Sequence, residues 1–372
     1  MASSPPLGVY IHIPYCRRIC RYCDFVHEPC PASVPHDFID SLVHEIMTSS
    51  SGGVVDSVFL GGGTPSLLTA KDLQFIVGAL HKKYDIQSPE FTLEANPDDV
   101  TTEKLNYWQE YGINRISLGV QSFSDDTLRF LGRRHTAKTA LDAAAKIAET
   151  FENWNLDLIY GAPPLSSWKK TLAAALSFDP PHIAAYALGY VPGTELGDCG
   201  LKPYADLTVL RQYRRAEEML SAYNHYEISN FAKKGKESRH NLKYWRNEEH
   251  DAYGPGAYSL RGNRRQCNIP FVESYIVDPL YKAEDQILSP LQIKLETMIQ
   301  HMRLKEGITE AYYYNRFQEN IADQFGSILN RLIADGLVHH KNNTYFPTRK
   351  GFYFNDTLGL QLVSRFENII DV

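Results

Sequence analysis

Three cysteines close to the N-terminus, Cys16, Cys20 and Cys23, constrain this chain more than anything else in it. The run from Tyr15 to Cys23 supplies three thiolates, one short of the four that an iron–sulfur cluster normally takes. A [4Fe–4S] cube held this way keeps one iron open. Such an iron takes a small molecule through an amine and a carboxylate. The bland alternative is structural zinc, which is normally closed by four ligands, often as two Cys-x2-4-Cys pairs. His12, His27 or Cys30 would supply the fourth ligand in that case. The cysteines follow directly on the apolar run Gly8–Ile13, so their loop grows from the end of a strand.

The rest of the composition is that of a globular chain. With 372 residues it can bury one large core and a smaller appended one. Hydrophobic residues at 43% and charged ones at 22% exclude long disorder. The net charge of −6, from 38 basic and 44 acidic residues, argues against a dedicated nucleic-acid surface. No stretch approaches the roughly 18 apolar residues that span a bilayer, so the chain is not expected to be an integral membrane protein. Met1–Leu7 lacks the basic and apolar regions of a secretory leader. Six cysteines are too few for a disulfide scaffold, and with three of them clustered the expected home is the reducing cytoplasm.

Short apolar runs alternate with helical periodicity through the first half. Strands are expected at Gly8–Ile13, Val55–Leu60, Phe91–Glu94, Arg115–Val120, Asn155–Tyr160 and His182–Leu188. Helical spacing falls between them, at Phe38–Met47, Asp72–Lys82, Lys104–Tyr111 and Ala137–Thr150. Repeated βα units give parallel strands joined by right-handed crossovers. Six such units suit an open, partial barrel, although a doubly wound sheet gives the same alternation. Polar groups at successive strand ends favour the barrel, because curling the sheet gathers them at one rim.

Those strand ends carry the chemistry. Gly61-Gly62-Gly63-Thr64-Pro65-Ser66 follows the second strand, and glycine lets a backbone approach a ligand closely. It is neither a Walker A motif nor a dinucleotide fingerprint. Beside the cysteine loop it suits the amino group of the methionine half of S-adenosylmethionine (SAM). Glu94-Ala95-Asn96-Pro97 places a carboxylate that can accept ribose hydroxyls. Gln121 offers an amide to a carboxylate or ribose, and Arg133 a fork of donors to a carboxylate. Asp157 closes the series at the fifth strand end.

Together Tyr10–Cys16, the GGGTPS loop, Glu94–Pro97, Gly119–Phe123 and Asp157–Gly161 resemble the oxygen-independent coproporphyrinogen III oxidase family, within the radical SAM superfamily. The resemblance runs from Gly8 to beyond Ser259 and continues more loosely to the C-terminus. It implies an α/β fold, a partial (β/α)6 barrel with a helical C-terminal domain. It also implies a [4Fe–4S] cluster on Cys16, Cys20 and Cys23, and SAM contacts at Tyr10, Gly62, Gly63, Thr64, Glu94, Gln121, Arg133, Asp157 and Gly189.

Two branches of that family differ at the cluster. Coproporphyrinogen dehydrogenases carry a fourth cysteine two positions after the third, and a longer N-terminal arm. Here Phe25 occupies that position, and only fifteen residues precede Cys16. Both features resemble the haem-chaperone branch, as does His240-Asn241-Leu242-Lys243-Tyr244-Trp245. That motif implies haem as cargo, His240 as its ligand and a client haem protein as partner. An imidazole followed by two aromatics suits an iron and a macrocycle face, although a packed core histidine looks the same in sequence. The alternative is an enzyme that cleaves SAM reductively and decarboxylates the propionates of coproporphyrinogen III to vinyl groups; its electron donor is unspecified. Tyr258, where relatives commonly have His, is a departure from the pattern. Cys30, Cys199 and Cys267 have no spacing partners, although Cys30 is close enough in the chain to sit near the cluster.

The expected domains are a barrel over residues 1–235, an extension with the His240 motif over 236–284, and a helical, winged-helix-like domain over 285–372. In the last, Leu295, Met298, Ile299 and Met302 form a helical stripe, as do Phe325, Ile328, Leu329 and Leu332. Leu337–Phe346 reads as a hairpin turning at Asn342-Asn343.

Overall fold

The computed structural model describes residues 5–30, 33–50 and 52–364. The start of the stretch read for a leader and the extreme C-terminus lie outside these.

Alternation within each strand sets the architecture. In β1 (Leu7–Ile13) Val9, Ile11 and Ile13 are fully buried on one face, while Tyr10 takes the other. The same pattern runs through β2 (Val54–Gly62), β3 (Asp85–Ala95), β4 (Arg115–Gln121), β5 (Trp154–Tyr160) and β6 (His182–Ala187). These six strands pair in parallel in chain order. Their apolar faces pack against α1 (His36–Thr48), α2 (Ala70–Lys83), α3 (Thr102–Glu110), α4 (Ala137–Thr150) and α5 (Ser167–Ser177) in one continuous core. Threonine caps start three of these helices. Thr69 forms a reciprocal box with Asp72, and Thr101 and Thr136 each accept from a backbone amide in the first turn.

The sheet stays open, as the expected partial barrel requires. Beyond α6 (Asp206–Met219), β7 (Asn224–Glu227) and β8 (Asn230–Ala232) form a hairpin, and β8 lies antiparallel to β6. The short α7 (Arg239–Trp245) then carries the chain to β9 (His250–Tyr253), which pairs parallel to β1. An antiparallel meander, β10 (Tyr258–Arg261), β11 (Arg264–Asn268) and β12 (Lys282–Ile287), extends that side. The strands form a single 12-stranded sheet. The expected extension over 236–284 is therefore part of the barrel sheet, and its boundary at 284 falls inside β12. Buried Glu45 of α1 anchors it by accepting from the Gly254 amide, Asn268, Tyr275 and Lys282.

The C-terminal region has its own core, in which Met298 and Met302 meet Phe325, Leu329 and Leu332. It comprises α8 (Pro290–His301), α9 (Ile321–Ala334) and a small sheet of β13 (Ile308–Thr309), β14 (Val338–Lys341) and β15 (Thr344–Pro347). The β14–β15 turn is at Asn342-Asn343, both left-handed with φ of 52° and 55°, the geometry asparagine tolerates in tight hairpins. This unit docks on the barrel through Arg303, whose guanidinium sits 4.2 Å from the Trp245 ring centroid and 3.6 Å from Glu227. No described helix is long and apolar enough to cross a membrane.

Candidate cofactor site

Tyr10, Phe59, Glu94, Gln121, Asp157 and Tyr186, one from each of β1 to β6, line a single cavity of about 580 Å³. Strands that all reach one cavity must be curled around it. Cys16, Cys20 and Cys23 line its mouth.

Backbone bonds shape the cysteine loop. Cys16 lies in a two-residue strand paired with Glu28–Pro29, the Cys30 amide donates to Cys16 O at 2.7 Å, and the Cys23 amide to Cys20 O at 3.1 Å. Two of the sulfurs receive donors: Thr64 Oγ1 lies 3.3 Å from Cys16 Sγ, and Arg133 Nη1 lies 3.3 Å from Cys20 Sγ. Donors aimed at sulfur suit cluster thiolates, whose potential such bonds tune. Burial pushes the Cys23 thiol up to about 11, so cluster binding at neutral pH would release protons. Among the described residues no three His, Cys, Asp or Glu side chains converge as a single-ion cage. Cys30 is turned away, its thiol donating to Ser33 O at 2.8 Å.

The glycine loop earns its composition by packing. A Cβ on Gly63 would lie 2.8 to 2.9 Å from the backbone of Ile13, Pro14 and Tyr15, and one on Gly62, at φ 106°, would lie 2.6 Å from the His12 ring. The Gly63 amide donates to Ile13 O and the Gly62 amide to Glu94 Oε2. With those donors engaged, the two glycines have only acceptors to offer a ligand, which suits an amine. Thr64 is buried, its hydroxyl also accepting from Asn96. Arg133 is held by Cys20, Asn96 and Gly119 O, which fixes its positive charge at the cluster edge.

Glu94 and Asp157 face the same cavity. Burial, and then the neighbouring Asp157 charge, push the Glu94 carboxyl up to about 8. Burial also raises Asp157, opposed by hydrogen bonds from Ser117 and Asn155. Gln121 adopts a left-handed φ of 62° where the β4–β5 register shifts, a strained conformation of the kind found at binding sites. Gly189, beyond β6, also lines the cavity. The structure thus brings every expected cofactor contact to one cavity.

Comparison with known proteins agrees with this geometry. Residues 10–173 match the radical SAM superfamily, and residues 288–354 the HemN C-terminal domain. A Bacillus subtilis protein named heme chaperone HemW is 33% identical over 92% of this chain and 96% of its own length. The chain belongs to the HemW family of radical SAM proteins. The Escherichia coli HemW is 36% identical over 69% of this chain and 71% of its own, and a bovine protein named radical S-adenosyl methionine domain-containing protein 1, mitochondrial, is 31% identical over 98% and 89%. Among solved structures, Escherichia coli coproporphyrinogen III oxidase (HemN) superposes with a TM-score of 0.84 over 96% of this chain and 90% of its own. At 20% identity that likeness shows the fold. Radical SAM membership implies a [4Fe–4S] cluster and SAM.

The HemW-like motif around His240 lies at the opposite end of the cavity. His240 is 1% exposed, with Nδ1 3.1 Å from Ser57 Oγ and Nε2 2.8 Å from the Tyr244 hydroxyl. Burial holds its imidazole well below the usual range. Glu90 accepts from the Arg239 and His240 amides and so pins the start of α7. Trp245 lies under Arg303 rather than facing the cavity. Sequence reasoning missed the neighbours of His240 on this floor. His182 Nδ1 donates to Asn155 Oδ1 at 2.5 Å, and its Nε2 is 2.8 Å from the Tyr226 hydroxyl. Arg115 is 2% exposed and its Nε has no hydrogen-bond partner. The available signal was period-two polarity, as in Arg115-x-Ser117-x-Gly119-x-Gln121.

Proposed function

We propose that this protein is a haem chaperone that carries a [4Fe–4S] cluster on Cys16, Cys20 and Cys23, binds SAM at the open iron, and passes haem to client apoproteins. The observation that carries this reading is at position 25. Where a coproporphyrinogen dehydrogenase has a fourth cysteine, this chain presents a phenylalanine that is 61% exposed at the cavity mouth. The names of the HemW relatives support it.

The cluster with SAM would supply a redox-active iron whose ligand set changes with SAM occupancy. The chain's own residues do the rest. Thr64 and Arg133 donate to the thiolate sulfurs. Arg133 would meet the SAM carboxylate with its charge, Glu94 and Asp157 would accept ribose hydroxyls, and Gln121 and Tyr10 would hold the nucleoside, all of them lining the one cavity. The Gly62 and Gly63 carbonyls would accept from its amine, and Gly189 would line the same cavity. All six cysteines are unpaired, in keeping with work in a reducing compartment such as the cytoplasm.

The test is anaerobic. The reconstituted protein is incubated with SAM, a strong reductant and coproporphyrinogen III, and in parallel loaded with haem and mixed with an apo-haem protein. Haem should transfer, and mass spectrometry should find no protoporphyrinogen. Repeated turnover to protoporphyrinogen would make the protein a dehydrogenase and end the chaperone reading.

A further inference from the structure

Haem iron is held well by a neutral imidazole whose second nitrogen is fixed by a hydrogen bond. His240 does not present one, since both its nitrogens are bonded and it is walled into the floor. His27 does. It lies four residues after Cys23 and lines the cavity mouth. Its Nδ1 is hydrogen-bonded to the Phe25 carbonyl. A carbonyl can only accept, so Nδ1 is the donor here and Nε2 is the ring nitrogen left for a ligand. Among the described residues nothing is bonded to that Nε2.

The surroundings of His27 match the remainder of a porphyrin. Phe25 and Ile19, the latter 40% exposed, line the same cavity as His27. Arg18, also on the rim, has no ion-pair partner among the described residues. One free ligand nitrogen, an apolar ledge and an unpaired cation correspond to the iron, the macrocycle face and a propionate.

We propose that haem docks across the mouth of the cavity with His27 Nε2 as an axial ligand, Phe25 and Ile19 against the macrocycle and Arg18 toward a propionate. The inference rests on the haem-chaperone reading and gives that cargo a seat beside the cluster loop rather than at His240. One Fe–N bond forms and a weakly held axial water leaves. No electron moves, and the pair that forms the bond is the Nε2 lone pair of the neutral ring.

Ferric haem is titrated into cluster-reconstituted full-length protein in four forms: wild type, His27→Ala, Phe25→Asp, and His240→Gln, which removes the imidazole but keeps a donor and an acceptor. Soret and EPR spectra report the axial ligand. Iron and sulfide content, with the EPR change on adding SAM, report the cofactor site. His27→Ala should bind at least tenfold more weakly and lose the imidazole signature. Phe25→Asp should weaken binding while keeping that signature, and His240→Gln should retain both. An unchanged signature in His27→Ala, or its loss in His240→Gln alone, overturns the inference while leaving the chaperone reading intact. Wild-type protein that binds no haem ends both. Should His27→Ala fail to assemble the cluster, Phe25→Asp decides, and wild-type affinity there overturns the proposal.

Discussion

The two ends of one cavity are built on opposite rules. On the floor, most polar side chains consume one another: Asn155 binds Ser117, Asp157 and His182, His182 also meets Tyr226, and His240 is held between Ser57 and Tyr244, with Arg115 Nε the exception. At the rim, glycine turns and the cysteine loop leave thiols, the Glu94 carboxyl and an imidazole nitrogen facing the opening. Both ends are rich in polar groups. Open acceptors and lone pairs, not polarity, mark the end of the cavity that takes a ligand.

The largest test of this contrast is at the rim. Cys20→Ala should abolish the cluster, leaving reconstituted protein colourless and without stoichiometric iron and sulfide. Full iron and sulfide content in that variant would remove the site assignment, and with it the claim that the rim is the chemical end.

The floor should instead report in stability. His240→Ala leaves the Ser57 and Tyr244 hydroxyls without their buried partner and opens a void, a loss of about 2–4 kcal/mol in urea unfolding. A smaller change than about 1 kcal/mol would mean the floor is looser than its bonds suggest. Acid should reach the same network. Burial holds His240 and His182 well below the usual imidazole range, and takes His12 down to about 4 and His135 to about 3. Unfolded, each binds a proton near pH 6.5. The unfolded state then holds more protons below that pH, so stability present above it falls between pH 7 and 5. Burial lowers His225, His250 and His301 in the same way, and these seven histidines outnumber the carboxyls that burial raises and that act in the opposite direction, Glu94, Asp98, Asp157 and Glu227. A urea midpoint that climbs on acidification would contradict neutral histidines.

Glu94 gives the rim its own pH signature. Its carboxyl is raised to about 8, mainly by burial, and only the ionised form accepts both ribose hydroxyls well. SAM affinity should therefore increase from pH 6.5 to 8.5. Glu94→Gln should weaken binding about tenfold at the upper end, about 1.4 kcal/mol, and flatten the profile. A steep profile that survives in the Gln variant would move the titration to another group.

The same contrast governs what was legible in the sequence. The cysteine spacing, the glycine loop and Asn342-Asn343 are local turn chemistry, so they are readable residue by residue. Glu94 and Gln121 are nearly so, because ends of parallel strands gather at one rim, whereas Asp157, expected at a strand end, lies in the middle of β5. Arg115, Asn155 and His182 sit at strand beginnings and meet only when the sheet curls. The His240 motif was visible, but its hydrogen bonds depend on Ser57 and Glu90, far away in the chain. The meander β10 to β12 left no apolar alternation to find, since β12 is almost wholly exposed.

The smallest effect is expected where neither rule applies. Tyr258 lies on β10, 47% exposed and outside the cavity, with its hydroxyl donating to Glu284 at 2.9 Å. Solvent can replace that partner at once, so the bond adds little. Tyr258→Phe should shift stability by no more than about 0.5 kcal/mol. Iron content and haem affinity should stay at wild-type values, even though relatives commonly place a histidine at this position. A marked loss of haem binding in Tyr258→Phe would bring the meander into the cargo site and break the division into floor and rim.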